Sequence, residues 1–275
     1  MSTVSPALGF VGTVLESTRQ TLARLARHRV RWIVAGGLVL LGSGCWLLGA
    51  NTDDDVDGRT LLCVLLWWLL GSVLMPWLTI YLGVHAAHGD LEDRTAQYLF
   101  LRPVGRAPLL LGKWLAAAIA GAVVGVLGVL VVDLALAPHD DLWLGGREHG
   151  TAAVFAMAMA VGAAAYAAAA VLFSAAFRRP LLMAAVFVVG LQQLAANLPV
   201  SPTLRQVTIA DPMRRIVLDG IRPEPRLAEE LWPAQRMSGD FVGEPWLDLA
   251  WFTGVCLALA CWFYTRTEYE SRHRE

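Results

Sequence analysis

Charge is what this sequence has least of. Only 16% of its 275 residues are Asp, Glu, Lys or Arg, where a soluble domain carries about a quarter. Apolar residues make up 56% and are gathered in long blocks. That excludes an ordinary soluble fold and predicts a polytopic helical membrane protein. Cysteine is also sparse. Cys45, Cys63, Cys256 and Cys261 all lie inside apolar blocks and form no C-x-x-C pair, so neither a disulfide framework nor a cysteine zinc site is indicated. They read as small buried hydrophobes. Lysine is reduced to Lys113, against 21 arginines. The chain has no G-x-x-x-x-G-K-[ST], because Gly112-Lys113 is followed by Trp114 and lacks the upstream glycine, so any ATP must be bound by another chain. H-E-x-x-H and G-x-S-x-G are absent as well, which removes the zinc-protease and serine-hydrolase signatures. No nucleic-acid partner is expected.

What the chain does have is six stretches long enough to cross about 30 Å of hydrocarbon as helices. They fall near 32–50, 60–86, 109–137, 151–177, 180–198 and 246–264. The fold class expected is therefore all-α, with six transmembrane helices. Residues 1–31 precede the first span, and Leu8, Val11, Leu15, Thr18, Leu22 and Leu25 recur there at helical spacing, with Glu16, Arg19, Arg24 and Arg27 mostly elsewhere. This predicts an amphipathic helix in the interfacial layer. The basic region is too long for a signal peptide, and no small-x-small site ends the span.

Arginine and lysine set the orientation. Arg19, Arg24, Arg27, Arg29 and Arg31 precede the first span; Arg94, Arg102, Arg106 and Lys113 join the second to the third. Arg178 and Arg179 join the fourth to the fifth, and Arg266, Arg272 and Arg274 follow the sixth. The two short loops opposite hold Arg59 and Arg147 and are otherwise acidic, with Asp53, Asp54, Asp55, Asp57, Asp140 and Asp141. Both termini are thus expected in the cytosol of a bacterial or archaeal plasma (inner) membrane. Residues 199–245 then lie outside, and their seven prolines forbid one continuous helix. Short helices near 213–221 and 226–232 are expected to build a small extracytoplasmic cap that meets an extracytoplasmic partner. Residues 246–275 form the sixth span and a cytosolic tail.

Within the spans, Gly121, Gly125 and Gly128 and the alanines from Ala163 to Ala170 allow close backbone approach, as a helix seam or as plain filler. Asp133, about one turn inside the third span, and Gln192, Gln193 and Asn197 on the fifth are the candidates for a polar pathway. His85 and His88, followed by Asp90, Glu92 and Asp93, have ligand-like spacing on a helix but no second ligand set elsewhere. They carry the alternative reading of a membrane-embedded metal-dependent enzyme. A further alternative is a non-transporting membrane anchor of a complex.

The most patterned stretch is 81–113, YLGVHAAHGDLEDRTAQYLFLRPVGRAPLLLGK. Its acids Asp90, Glu92 and Asp93 suit a helix start. Leu91, Tyr98, Leu99 and Leu101 offer an apolar face, Pro103 ends the helix, Arg102 and Arg106 suit headgroups or carboxylates, and Lys113 is placed to snorkel. This order resembles the permease subunits of ABC-2-type transporters. Their pattern is an acidic pair, Gly-Thr, an aromatic-leucine run, Arg-Pro-x-Ser-Arg and Leu-x-Gly-Lys. The matching residues are Glu92-Asp93, Thr95, Tyr98-Leu99, Arg102-Pro103-Val104-Gly105-Arg106 and Leu111-Gly112-Lys113, with Arg94 in place of Gly, Gly105 in place of Ser and Asp90 in place of Glu upstream.

The resemblance implies a coupling helix within 87–108 that docks on a separate ABC ATPase, with Asp90, Glu92, Asp93, Thr95, Tyr98, Arg102, Pro103, Arg106 and Lys113 as the coupling residues. It also implies an exporter built as a homodimer, or as a heterodimer with a similar permease, embedded in membrane lipids. ATP and magnesium would sit on the partner ATPase, so this chain itself is expected to hold no cofactor and to be no enzyme.

Overall fold

A computed structural model of the chain describes residues 9–27, 30–52, 58–92, 106–138, 149–195, 208–221 and 244–266. For residues 30, 88–92, 106, 149, 191 and 193–195 the description is of backbone only. Among the described residues there are helices and no strand. Helix α1 is Phe10–Arg27 and α2 is Val30–Ala50. Helix α3 runs through three contiguous stretches, Gly58–Leu65, Leu66–Leu74 and Met75–Glu92. Helix α4 is Arg106–Leu136 and α5 is His149–Ala176. Helix α6 joins Pro180–Val186 to Phe187–Ala195, α7 is Ala210–Ile221 and α8 is Pro245–Arg266.

Five of these helices contain stretches long and apolar enough to cross a membrane: Arg31–Ala50, Gly58–Ala87, Ala107–Leu136, Gly150–Ala176 and Pro245–Arg266. The chain is a polytopic all-α membrane protein. The fifth expected span is described as far as Ala195, and its apolar part is the shorter Pro180–Gly190; residues 196–198 lie outside the described residues.

Helix α5 occupies the centre, with α3, α4, α7 and α8 packed around it. Its alanines make this possible: Ala163, Ala165 and Ala167 to Ala170 are all buried. Side chains that short let neighbouring backbones close in, the main source of helix–helix attraction where lipid removes the hydrophobic drive. The glycine stripe of α4 faces the same seam. A Cβ on Gly128 would lie 2.6 Å from Leu70 Cδ1, and one on Gly125 would lie 3.0 Å from Met159 Cβ. The stripe is therefore an intramolecular seam between α4, α3 and α5, and is more than filler. By contrast α2 and α8 are peripheral, exposing Trp32, Leu40 and Trp46, and Leu247, Trp251 and Trp262, as lipid-facing helices do.

Two helices depart from regular i→i+4 bonding. The middle of α3, Leu66–Leu74, and the second half of α6, Phe187–Ala195, are π-helical. π-helical stretches are rare and concentrate at functional sites.

The short helix expected near 213–221 exists, as α7, but it does not stand apart as a cap. Eight of its twelve residues are buried: Asp211, Pro212, Met213, Arg214, Arg215, Ile216, Val217 and Ile221. Met213 is seated at Gly162 of α5, where a Cβ would lie 2.3 Å from its Sδ, and Val154 packs on Gly220. Gly162 stands thirteen residues beyond His149, about 20 Å along the α5 axis at 1.5 Å per residue. Helix α7 thus enters the bundle with its N-terminus deepest. The rest of the expected cap, 199–207 and 222–243, lies outside the described residues.

Candidate functional site

Two polar clusters lie at opposite ends of the bundle. At the end carrying Arg27, Arg178, Arg179 and Arg266, α1 lies against the start of α4. Its packed face is made of small polar residues, Thr13, Ser17 and Thr18, together with Leu25. Ser17 Oγ donates to the Leu109 carbonyl at 3.1 Å, and Thr18 Oγ1 donates to the Gly112 carbonyl at 3.1 Å. Gly112 has no side chain to obstruct this: a Cβ there would lie 2.5 Å from Ser17 Cβ and 2.7 Å from the Val14 carbonyl oxygen. The periodic stripe read from the sequence is consequently split. Thr18 and Leu25 are buried, whereas Val11 and Leu15 are turned outward with Phe10, because the close α1–α4 contact admits only small residues. On the outer face Glu16 accepts from Gln20 Nε2 at 2.8 Å and pairs with Arg19 at 3.3 Å. The Gln20 bond, and then Arg19, hold its carboxyl below the usual carboxylate range.

The next residue, Lys113, corrects another expectation. Instead of snorkelling to the surface it is 6% exposed, and its Nζ donates to the Ala87 carbonyl of α3 at 3.2 Å. A cation on a carbonyl in the last turns of a helix is favourable. Gly112 and Lys113 together therefore tie α1, α4 and the end of α3 into one unit. Of the other coupling candidates, Asp90 and Glu92 lie in the last turn of α3 and not at the helix start expected of them, because α3 continues from Met75 to Glu92; Arg106 opens α4, all three as backbone only, and Asp93, Thr95, Tyr98, Arg102 and Pro103 lie outside the described residues. The clamp thus brackets residues 93–105 from both sides.

At the far end, α7 is held by polar contacts along its length. Gln192 Oε1 accepts from the backbone N–H of Ile209 at 2.9 Å and of Ala210 at 3.2 Å. The Asp211 N–H donates to Thr208 Oγ1 at 3.3 Å. These bonds satisfy donors that a helix start leaves open. At the other end Arg59 Nη2 donates to the Ile221 carbonyl at 3.2 Å. Between them, Arg215 is ion-paired with Asp211 at 3.2 Å and with Asp248 of α8. The Arg214 guanidinium lies over the buried Trp67 ring, 5.1 Å from its centroid, in a cation–π contact.

Gln192 thereby caps α7 through its Oε1. Gln193 is described by its backbone only, Asn197 lies outside the described residues, and Asp133 sits half-buried on α4. Replacing Gln192 with leucine should remove the cap and lower stability by about 1–2 kcal/mol; thermal unfolding of the purified protein measures this, and an unchanged midpoint would deny the capping role. His85 stacks on Tyr81, with centroids 6.1 Å apart. Among the described residues no group of three His, Cys, Asp or Glu side chains converges as a metal site, and the side chain of His88 lies outside them. Sequence reasoning passed over Ser17, Asp211, Arg214, Arg215 and Asp248. The available signal was Arg214-Arg215 with Asp211 and Asp219 in one short helix.

The helices make an apolar bundle in which α3 and α4 are tied together at one end. Comparison with protein-family models finds that the one described as "ABC-2 family transporter protein" matches residues 7–217, from just before α1 into α7. The chain belongs to the ABC-2 transporter family. As an ABC-2 permease it is a transmembrane subunit for transport and not itself catalytic, and permeases of this family typically work with an ABC ATPase subunit. Among curated proteins no match is found.

Proposed function

We propose that this permease is the membrane half of an ATP-driven exporter, coupled to a separate nucleotide-binding subunit through the coupling segment within residues 87–108. The observation that carries this reading is the Gly112–Lys113 clamp. Both ends of the segment enter helices that are bonded to each other, since Lys113 of α4 holds Ala87 of α3. A push delivered between them moves α3 and α4 together, and α1 with them. Because α3 and α4 both pack on α5, the displacement reaches the centre of the bundle. The π-helical stretches of α3 and α6 support the next step. They lie within the second and fifth spans, where bending would alternate access to a pathway that includes Gln192, Gln193, Asn197 and Asp133.

In this reading α6 completes a sixth span, the arginine-rich end and both termini face the cytosol, and two permease copies, or this chain and a similar one, form the pathway. Co-expression with an ABC ATPase encoded beside it tests the assignment. The two chains should co-purify, and Glu92→Gln with Arg106→Gln should weaken that association. Assembly indifferent to both substitutions would take these residues out of the coupling role.

A further inference from the structure

A second feature of the arginine-rich end is independent of the ATPase. Between the end of α3 and the turn joining α5 to α6 lies an open cavity of about 360 Å³. This is within the range of small-ligand sites, about 300–1,000 Å³. One wall is α3, which contributes Tyr81 and His85, with Val84 buried behind them. Opposite stand Arg178 and Arg179, both exposed and in no ion pair among the described residues. The lining continues along α6 to Leu181 and Leu182, which are 51% and 54% exposed.

Each part of this lining has a chemical counterpart. Two adjacent guanidiniums with no carboxylate partner among the described residues attract an anion, and their planar forks match phosphate oxygens in pairs. The tyrosine and histidine add ring faces and polar atoms at the same opening. The exposed leucines offer an apolar track leading away from the charged mouth. Charge at the mouth with hydrocarbon beside it, between two membrane helices, describes an amphiphile with an anionic head. Basic pockets between transmembrane helices hold such headgroups. A carboxylate surface of a protein partner would satisfy the arginines but not the leucines.

We propose that the cavity lined by Tyr81, His85, Arg178 and Arg179 binds the phosphate-bearing headgroup of an anionic phospholipid, with the acyl chains lying along Leu181 and Leu182. The lipid would brace α3 against α6, the two helices that contain π-helical stretches.

Native mass spectrometry of the full-length permease, titrated with phosphatidylglycerol or phosphatidylcholine in detergent, tests this directly. Phosphatidylglycerol should be retained in preference to phosphatidylcholine. Arg178→Gln with Arg179→Gln should reduce its affinity roughly 30-fold, the loss expected for two basic contacts. Arg266→Gln, a charge change at the same end on a residue that already lies over Trp262, should leave it within about twofold, well inside one such contact. Equal retention of the two lipids by the unmodified protein would overturn the proposal, whatever the variants do. So would equal losses in the Arg178/Arg179 and Arg266 variants, which would mean diffuse surface charge. Displacement of phosphatidylglycerol by millimolar inorganic phosphate would assign the site to a soluble phosphate and overturn its identification as a lipid site.

Discussion

Replacing Arg215 with leucine is expected to destabilise the permease by about 3–5 kcal/mol, the usual cost of breaking a buried ion pair from one side. The reason is geometric. The side chain of Arg215 is only 6% exposed and stands between Asp211 at 3.2 Å and Asp248. Without the guanidinium, Asp211 and Asp248 lose the cation that both pair with, Asp211 at a side chain only 10% exposed. The loss should appear as a fall in the thermal unfolding midpoint and as release of α7, read by protease access to its ends. A triple variant that adds Asp211→Asn and Asp248→Asn removes all three charges and should recover more than half of the deficit. If Arg215→Leu unfolds at the wild-type temperature, the buried pair does not hold α7 in place.

Valine at position 112 should act at the opposite end. The added Cβ would meet the Val14 carbonyl oxygen at 2.7 Å as well as Ser17. A backbone carbonyl cannot swing aside as a side chain can, so α1 as a whole must move off α4. Overpacking of this kind costs about 1–3 kcal/mol. That corresponds to about 5- to 140-fold in the population of undocked α1, at about 1.4 kcal/mol per tenfold. Trypsin cleavage after Arg24 or Arg27 should accelerate accordingly, with Gly112→Ala intermediate. Equal cleavage rates in all three proteins would show that α1 is not seated through Gly112.

These two sites differ in how far they could be read from the sequence. Five of the six expected spans were legible because a run of 20 or more apolar residues has few alternatives. The close seam of α4 was half legible: Gly121, Gly125 and Gly128 announce close approach, but only the structure says that the neighbours are Leu70, Thr79 and Met159 of the same chain. Burial of α7 was not legible. A twelve-residue helix with Arg214 and Arg215 reads as water-exposed, and its compensation is scattered through Trp67, Gln192 and Asp248. The same distance in sequence hid the roles of α1 and Lys113. Periodicity finds the apolar stripe of α1, but the packed face is decided by Gly112 more than ninety residues away. Lys113 reads as a snorkelling residue until Ala87 is seen within hydrogen-bond reach. The coupling pattern itself was read from order along the chain, and its residues from Asp93 to Pro103 lie outside the described residues.

The central claim is that force from a separate ATPase enters through the Lys113–Ala87 connection, and one comparison tests it most directly. The permease and its ATPase, reconstituted together, are assayed for ATP hydrolysis with wild-type permease and with Lys113→Met, which keeps the length of the side chain but not the donor. The account predicts that both proteins assemble with the ATPase, that the wild type stimulates hydrolysis, and that the variant loses most of that stimulation. Stimulation by Lys113→Met equal to the wild type would contradict it.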